Sequence, residues 1–397
     1  MSDKNHAKRG YAEQTRISHA GRQYAVHGMV NPGVYHASTI TVPGLEEWFS
    51  GAGKYRYGRS GTPTLRALEE AVSDLEGGHG CCLFPSGLAA ITSSLLILLN
   101  SGDHLLMSDS VYQPTRKFCD GVLKRLGIET TYYDPLVGAG IKDLIKPNTR
   151  VVFLESPGSQ TMEMQDVPAI TKIARSAGVL SVIDNTWGAG HYYKPLEVGC
   201  DVSIQAGTKY IVGHSDVMLG TATTSKELWS KFRNGYQLLG QHVGPDDVYL
   251  ALRGLHTLDV RLERHMKNAL EVAQWLQQRS EIAQVMYPAL PGSAGHEIWQ
   301  RDYRGACGLF SIRFKNPVRG AIAAMIDNLA LFGIGASWGG FESLVIPFDP
   351  SAYRTATRWP HDGICLRFHI GLEAPQDLIA DLSAGFERMN AFEENMA

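Results

Sequence analysis

At 397 residues the chain exceeds the size that one hydrophobic core usually serves, which predicts two folded domains and an arm. Its 44% hydrophobic and 19% charged composition excludes a disordered chain. A net charge of −3, with the basic residues dispersed, gives no footing for nucleic acid or for a polybasic membrane contact.

The first nine residues, Met1 to Arg9, lack the apolar core of a secretory signal. The most apolar stretch, Leu88 to Leu99, is too short to span a bilayer and carries Thr92, Ser93 and Ser94. Cys81, Cys82, Cys119, Cys200, Cys307 and Cys365 show no CxxC spacing, so they read as reduced thiols of a cytoplasmic protein, and no metal site is expected.

Residues 1–60 are rich in Gly, His, Tyr and Arg, with breakers at Asn31-Pro32-Gly33 and Gly51-Ala52-Gly53 and no sustained periodicity. Such a segment cannot bury a core alone and reads as an arm that packs on a neighbouring subunit. A helix follows, capped by Thr62, with Pro63 at its first position, an apolar face of Leu65, Leu68, Val72 and Leu75, and a stop at Gly77-Gly78. Short apolar runs at 80–84, 104–107, 150–154 and 179–183 read as strands, alternating with helical stretches at 88–99, 113–126, 166–177 and 226–233. That alternation predicts a mostly parallel sheet covered by helices, with ligands at the carboxyl ends of its strands. A long helix over 260–278 leads into half-buried runs at 308–314 and 364–369, which predict a smaller α+β domain. The expected division is an arm (1–60), a large domain (61–255) and a small domain (256–397).

Chemistry-bearing residues punctuate these elements. In the arm, Tyr57-Gly58-Arg59 offers a hydroxyl and a guanidinium that could reach a phosphate, or could be a solvated loop. Phe84-Pro85-Ser86-Gly87-Leu88 ends a strand and opens a helix, which suits either a phosphate on the helix N-terminus or an ordinary cap. Tyr112, just past the 104–107 strand, is placed to stack on a ring or to fill a core. Asp184 ends a strand, where its carboxylate could pair with a protonated pyridine nitrogen or cap a helix. Lys209, in Thr208-Lys209-Tyr210 after a short apolar run, is placed to form a Schiff base with an aldehyde, although a solvated lysine there is unremarkable. Arg367 interrupts an apolar strand and faces either solvent or a substrate carboxylate. Lysine and aspartate together read as a pyridoxal phosphate (PLP) site.

In order, these motifs resemble one family. Tyr-x-Arg at 57–59, Ser-Gly at 86–87, Asp-x-Val-Tyr at 109–112, Asp-Asn-Thr at 184–186, Thr-Lys-Tyr-x-x-Gly-His-Ser-Asp at 208–216, Ser-Trp-Gly-Gly-Phe-Glu-Ser-Leu at 337–344 and Arg-x-His-Ile-Gly-Leu-Glu at 367–373 are similar to the Cys/Met-metabolism PLP enzymes from about residue 20 onward. The segment from Glu155 to Glu163, Trp338 after Ser337, and the run from Tyr287 to His296 resemble the bacterial cystathionine β-lyase branch.

The resemblance implies the aminotransferase-like α/β fold (fold type I) and carbon–sulfur β-elimination on a small amino acid. It implies that Lys209 carries PLP, Asp184 holds its ring nitrogen and Tyr112 stacks on the ring. Ser86, Gly87, Leu88 and Thr208 would hold the phosphate, with Tyr57 and Arg59 supplied by the neighbour in a homo-oligomer, plausibly a tetramer built as a dimer of dimers. Arg367, with Ser337 and Trp338, would receive the substrate carboxylate, and Lys209 and Tyr112 would move protons.

Three positions depart from the family pattern. Ser60 and Lys117 stand where a second Arg and an acidic residue are common in that branch; if those positions read the distal amino acid end of the substrate, this chain reads it through Arg116 or Lys117 or accepts other S-substituted cysteines. Ala206 stands where a phosphate-binding Ser is common, which shifts that work to Thr208. A cysteine-S-conjugate lyase, a γ-acting transsulfuration enzyme and an amino acid racemase are compatible with the same scaffold. A PLP-retaining regulatory protein would need an added module, and none is visible.

Overall fold

In the computed structural model, which describes residues 10–316, 318–361 and 363–396, the helix Pro63–Glu76 begins and ends where its capping signals predict. Thr62 accepts from the Leu65 N–H at 3.3 Å, and Gly77 closes the helix with φ +68°. Leu65, Leu68, Val72 and Leu75 are all buried, so its apolar stripe faces the core.

Seven strands form the large sheet: β1 (Gly80–Phe84), β2 (His104–Ser108), β3 (Glu129–Tyr133), β4 (Thr149–Glu155), β5 (Leu180–Asp184), β6 (Val202–Gln205) and β7 (Gly220–Thr224). Their order is β1-β7-β6-β5-β4-β2-β3, with β7 antiparallel to both neighbours and the other pairings parallel. Both faces are covered, as a near-continuous apolar strand requires. Along β4, Val151 and Phe153 enter the core on one side while Val152 and Leu154 enter the core on the other.

The second sheet contains β8 (Ile282–Met286), β9 (Leu309–Phe314), β10 (Phe332–Ile334), β11 (Ser343–Phe348) and β12 (Cys365–His369), in the order β10-β11-β12-β9-β8. It is antiparallel except at β10–β11. Residues of this sheet, including Phe310, Ile312 and Phe368, share one buried cluster with Leu83, Leu106 and Leu154 of the large sheet. The mostly parallel large sheet and the smaller sheet beside it are the α/β architecture expected from the sequence.

The predicted helices are present with small shifts. The stretch expected at 260–278 is Leu258–Gln277, and the one at 226–233 runs on to Leu238. The stretch expected at 113–126 forms Gln113–Phe118 and then passes into a π-helical turn at Cys119–Leu123. Within the arm the structure places two short helices, Glu13–Ser18 and Leu45–Ser50. Glu13 ties the first of them down by contacts of 2.6 Å to both His191 and Lys194. Much of the rest leaves large apolar side chains exposed, among them Met29, Val30, Leu45, Trp48 and Phe49. No helix among the described residues is long and apolar enough to cross a membrane.

Candidate active site

The turns leaving β1, β2, β4, β5 and β6 open on one cavity of about 570 Å³. Its wall contains Ser86, Gly87, Leu88, Tyr112, Asp184, Thr208, Lys209, Ser337, Trp338 and Arg367, so every site residue expected from the sequence outside the arm meets in one place. This is the carboxyl edge of the parallel strands, where open α/β sheets bind ligands.

Lys209 follows β6 in a tight turn and is half-buried. Its Nζ donates to Ser337 Oγ at 2.6 Å and lies 5.4 Å from the Trp338 ring. Burial, then the charge of Arg367, lowers its pKa to about 8, against the pull of Asp184. The segment carrying Ser337 sits directly on the lysine: a Cβ at Gly339 would come within 2.9 Å of the Lys209 backbone. Only glycine allows that approach, and Ser337 itself has a left-handed φ of +99°.

Asp184 receives both the backbone N–H (3.0 Å) and the hydroxyl (2.5 Å) of Thr186 on Oδ1, so Oδ2 is left to face the cavity. Burial raises its pKa, opposed by the Thr186 bonds and by Lys209. Beneath it, the buried Glu76 accepts from Asn185 (3.3 Å), Ser203 (2.9 Å) and Gln205, which pins the ends of β5 and β6 together.

Ser86 caps the helix Gly87–Leu98 by accepting from the Ala89 N–H at 3.0 Å, which leaves its hydroxyl proton free. The N–H groups of Gly87 and Leu88, in the first turn, have no acceptor within the helix. A Cβ on Gly87 would meet Ala206 Cβ at 2.5 Å, so this N-terminus packs against the turn that carries Lys209. Donors without carbonyls, a helix N-terminus and the nearby lysine fit a phosphate ester that bears an aldehyde. Thr208 also lines this end, but its hydroxyl is engaged with Leu219, accepting from its N–H at 2.9 Å and lying 3.1 Å from its carbonyl oxygen. Among the described residues no group of three or more His, Cys, Asp or Glu is placed to hold a metal ion.

Tyr112 stands at the cavity mouth, 41% exposed, so its ring face is open. Burial of its hydroxyl end, then Asp184 and Glu155, raises its pKa, which keeps it a phenol. Arg367, central in β12, is 8% exposed and donates only a long bond, 3.4 Å, to the Ser159 carbonyl. Burial lowers its pKa to about 10, so it stays cationic at neutral pH with no ion pair to a described carboxylate.

Glu155 is a site residue that sequence reasoning treated only as part of a motif. It ends β4 in register with Asp184 on β5, lines the cavity and accepts the Tyr112 N–H at 2.7 Å. Burial, then the nearby Asp184, pushes its pKa well above the usual carboxylate range. Its position after an apolar strand, parallel to the Asp184 strand, was the available signal.

One expectation changes. Arg116 is buried, ion-paired to Asp109 and stacked 3.5 Å over the Tyr132 ring, so it cannot read a distal substrate group, and Lys117 is exposed outside the cavity. Tyr57 and Arg59 also lie outside their own chain's cavity, with Arg59 donating to the Gln237 carbonyl at 3.1 Å.

The profile of the Cys/Met metabolism PLP-dependent enzyme family matches residues 14–387. The cystathionine beta-lyase MetC of Escherichia coli K12 is 45% identical over 388 residues, spanning 94% of this chain and 98% of that protein. The L-alanine/L-glutamate racemase of Wolbachia pipientis wMel is 38% identical over 394 residues, 95% of this chain and 97% of that one. Among solved structures, a cystathionine gamma synthase from Xanthomonas oryzae pv. oryzae in complex with aminoacrylate and cysteine superposes with a TM-score of 0.89 at 31% identity, covering 96% of this chain and 99% of its own.

Proposed function

The chain belongs to the Cys/Met metabolism PLP-dependent enzyme family, and from that premise we propose that it is a carbon–sulfur β-lyase cleaving L-cystathionine to L-homocysteine, pyruvate and ammonia. The observation that carries the reading is the meeting of Lys209, Asp184 and an unpaired Arg367 in one cavity.

Ser86 and the N–H groups of Gly87 and Leu88 would hold the cofactor phosphate, joined by Thr208 once its hydroxyl turns from the Leu219 carbonyl, with Asp184 on the ring nitrogen, Tyr112 on the ring face and Lys209 on the aldehyde carbon. Bound PLP supplies an aldehyde for the substrate amine and a protonated ring that takes up the electrons left at Cα. Arg367 receives the α-carboxylate, bidentately if both guanidinium nitrogens turn to it. Lys209, freed as a neutral amine and oriented by Ser337, is the base for the Cα proton, because Tyr112 is held as a phenol and Glu155 is engaged with the Tyr112 N–H. The same amine, now an ammonium, protonates the departing thiolate. Aminoacrylate is released, and water converts it to pyruvate and ammonia.

Tyr57 and Arg59 complete the phosphate site of a neighbouring copy in a homo-oligomer, on this reading a dimer of dimers. Their position outside their own cavity and the exposed apolar arm support it. The arm, large domain and small domain divide near residues 60 and 255. Six free, buried cysteines support a reducing, cytoplasmic setting.

One observation favours a second, broader substrate range. Among the described residues the charged side chains lining the cavity are Glu155, Asp184, Lys209 and Arg367, so none of them offers a second cation to the distal carboxylate of cystathionine. Other S-substituted cysteines would then be accepted too. Mixing the PLP-loaded enzyme with L-cystathionine and identifying keto acid and thiol together tests the assignment. Pyruvate with homocysteine in equal amounts is expected, and 2-oxobutyrate with cysteine would replace β- by γ-elimination.

The pKa of Lys209 makes a prediction for cofactor uptake. Only the neutral amine attacks an aldehyde, and lowering the pKa from 10.5 to about 8 makes that form roughly 300-fold more abundant at pH 7. The rate at which cofactor-free protein takes up PLP is expected to rise about tenfold per pH unit below 8 and to level off above it. Stopped-flow absorbance across pH 6 to 10 reads this directly. A rate that still climbs tenfold from pH 9 to 10 would mean an unshifted lysine.

A further inference from the structure

We propose that Asp109 is a positioning residue: the turn Asp109–Tyr112 after β2 clasps the segment 353–357 between β11 and β12, and so sets the carboxylate-binding guanidinium of Arg367. The proposal rests on Arg367 being that receptor.

Asp109 is fully buried, yet neither of its oxygens faces the cavity. It accepts from three successive backbone N–H groups of the other sheet's connection: Thr355 (3.1 Å to Oδ1), Ala356 (3.0 Å) and Thr357 (2.9 Å). The Thr357 hydroxyl adds a bond at 3.0 Å, and Arg116 pairs with Oδ1 while donating to Thr355 Oγ1 at 3.1 Å. Burial alone would raise the pKa of Asp109, but these donors outweigh it and lower the pKa, so the clasp is ionic. A second fastening lies beside it, where Arg354 binds Thr161 at 2.6 Å and pairs with Glu163.

Both walls around Arg367 trace to this turn. On one side, the Ser159 carbonyl that accepts from Arg367 belongs to a loop whose Ser159 N–H donates to the Ser110 carbonyl at 3.0 Å. On the other side, Tyr353 adjoins the clasped residues and donates to Gln160 Oε1 at 2.5 Å, and its phenol is close enough to influence the Arg367 charge. Tyr112, three residues after Asp109, holds Glu155. One turn therefore registers the carboxylate receptor against the residues that face the cofactor, across sequence separations of up to 248 residues.

The test compares two amines of one skeleton, L-alanine with a carboxylate and ethylamine without, binding to the PLP-loaded enzyme and followed by the cofactor's absorbance. The ratio of their dissociation constants measures carboxylate recognition alone. Asp109→Asn is expected to lower that ratio about tenfold, equivalent to about 1.4 kcal/mol, by weakening L-alanine while ethylamine binding stays the same. Arg367→Gln, in parallel, is expected to abolish the preference. A preference kept in Asp109→Asn but lost in Arg367→Gln would overturn the clasp, as would equal weakening of both amines. A preference that survives Arg367→Gln would instead overturn the reading of Arg367. Should Asp109→Asn fail to fold, the double variant Thr355→Val, Thr357→Val removes two hydroxyls and keeps every backbone donor. Its expected cut in the ratio is about threefold, and no cut would overturn the proposal.

Discussion

Replacing Lys209 with alanine is expected to reduce pyruvate release from L-cystathionine by about 10³-fold or more, with little change in the thermal unfolding midpoint. Among the described residues Lys209 is the one lysine on the cavity wall; it is half-buried, and its amine is hydrogen-bonded only to Ser337. No neighbour can take over the proton it moves. Tyr112 is held as a phenol by burial and its acidic neighbours, Glu155 is buried and engaged with the Tyr112 N–H, and Arg367 keeps its proton at neutral pH. On the proposed reading Asp184 is committed to the ring nitrogen. Added ethylamine should restore a small part of the rate, since a diffusing amine can serve as the base when the cavity offers room in place of the side chain. A variant retaining more than about a tenth of the activity would assign the proton transfer to another group. A large loss of thermal stability would show instead that the lysine is a structural element, which its partial exposure argues against.

How far the sequence speaks for this site differs from residue to residue. Asp184 ends a strand, Ser86 caps a helix and Lys209 lies in the turn just after a strand, where local pattern announces them, and the structure brings all three to one cavity edge. Strands β1, β2, β4 and β5 were likewise legible as apolar runs alternating with helices, whereas β3 (Glu-Thr-Thr-Tyr-Tyr) and β7 (Gly-Thr-Ala-Thr-Thr) carry too little apolar character to be read locally. Arg367 was ambiguous in isolation, since a strand alternates its faces and only the pairing with β9 and β11 decides which face is covered. Asp109 was seen only as part of a motif. Its partners at 355–357 are brought to it by the packing of one sheet on the other, which no local periodicity encodes. Arg116 illustrates the same limit: a basic residue one turn past Tyr112 looks free to meet a substrate until the fold supplies Asp109 and Tyr132. The exposed strip of the arm had no local signal beyond a lack of periodicity, because its apolar residues do not enter the core of their own chain.

Changing Asp184 to asparagine is expected to lower kcat by about 10²-fold or more while the protein keeps its cofactor. The substitution is nearly isosteric, so Oδ1 can continue to accept the Thr186 N–H at 3.0 Å and its hydroxyl at 2.5 Å, and the strand end stays in place. What changes is the atom facing the cavity. A carboxylate oxygen accepts a hydrogen bond and favours a protonated ring nitrogen, whereas the amide NH₂ of asparagine only donates and favours an unprotonated one. Retention of cofactor is expected because its phosphate would still rest on Ser86 and the first turn of Gly87–Leu98, and its aldehyde carbon on Lys209. The buried Glu76 beneath Asn185 gives a control: Glu76→Gln keeps the volume, turns one of its two accepting oxygens into an NH₂ that cannot accept, leaves the group that faces the cavity untouched, and is expected to cost far less in kcat. Measuring kcat and cofactor content for both variants separates ring electronics from the geometry of the β5 end. Equal losses in the two would mean that Asp184 acts by holding the strand and not by holding the ring nitrogen's proton.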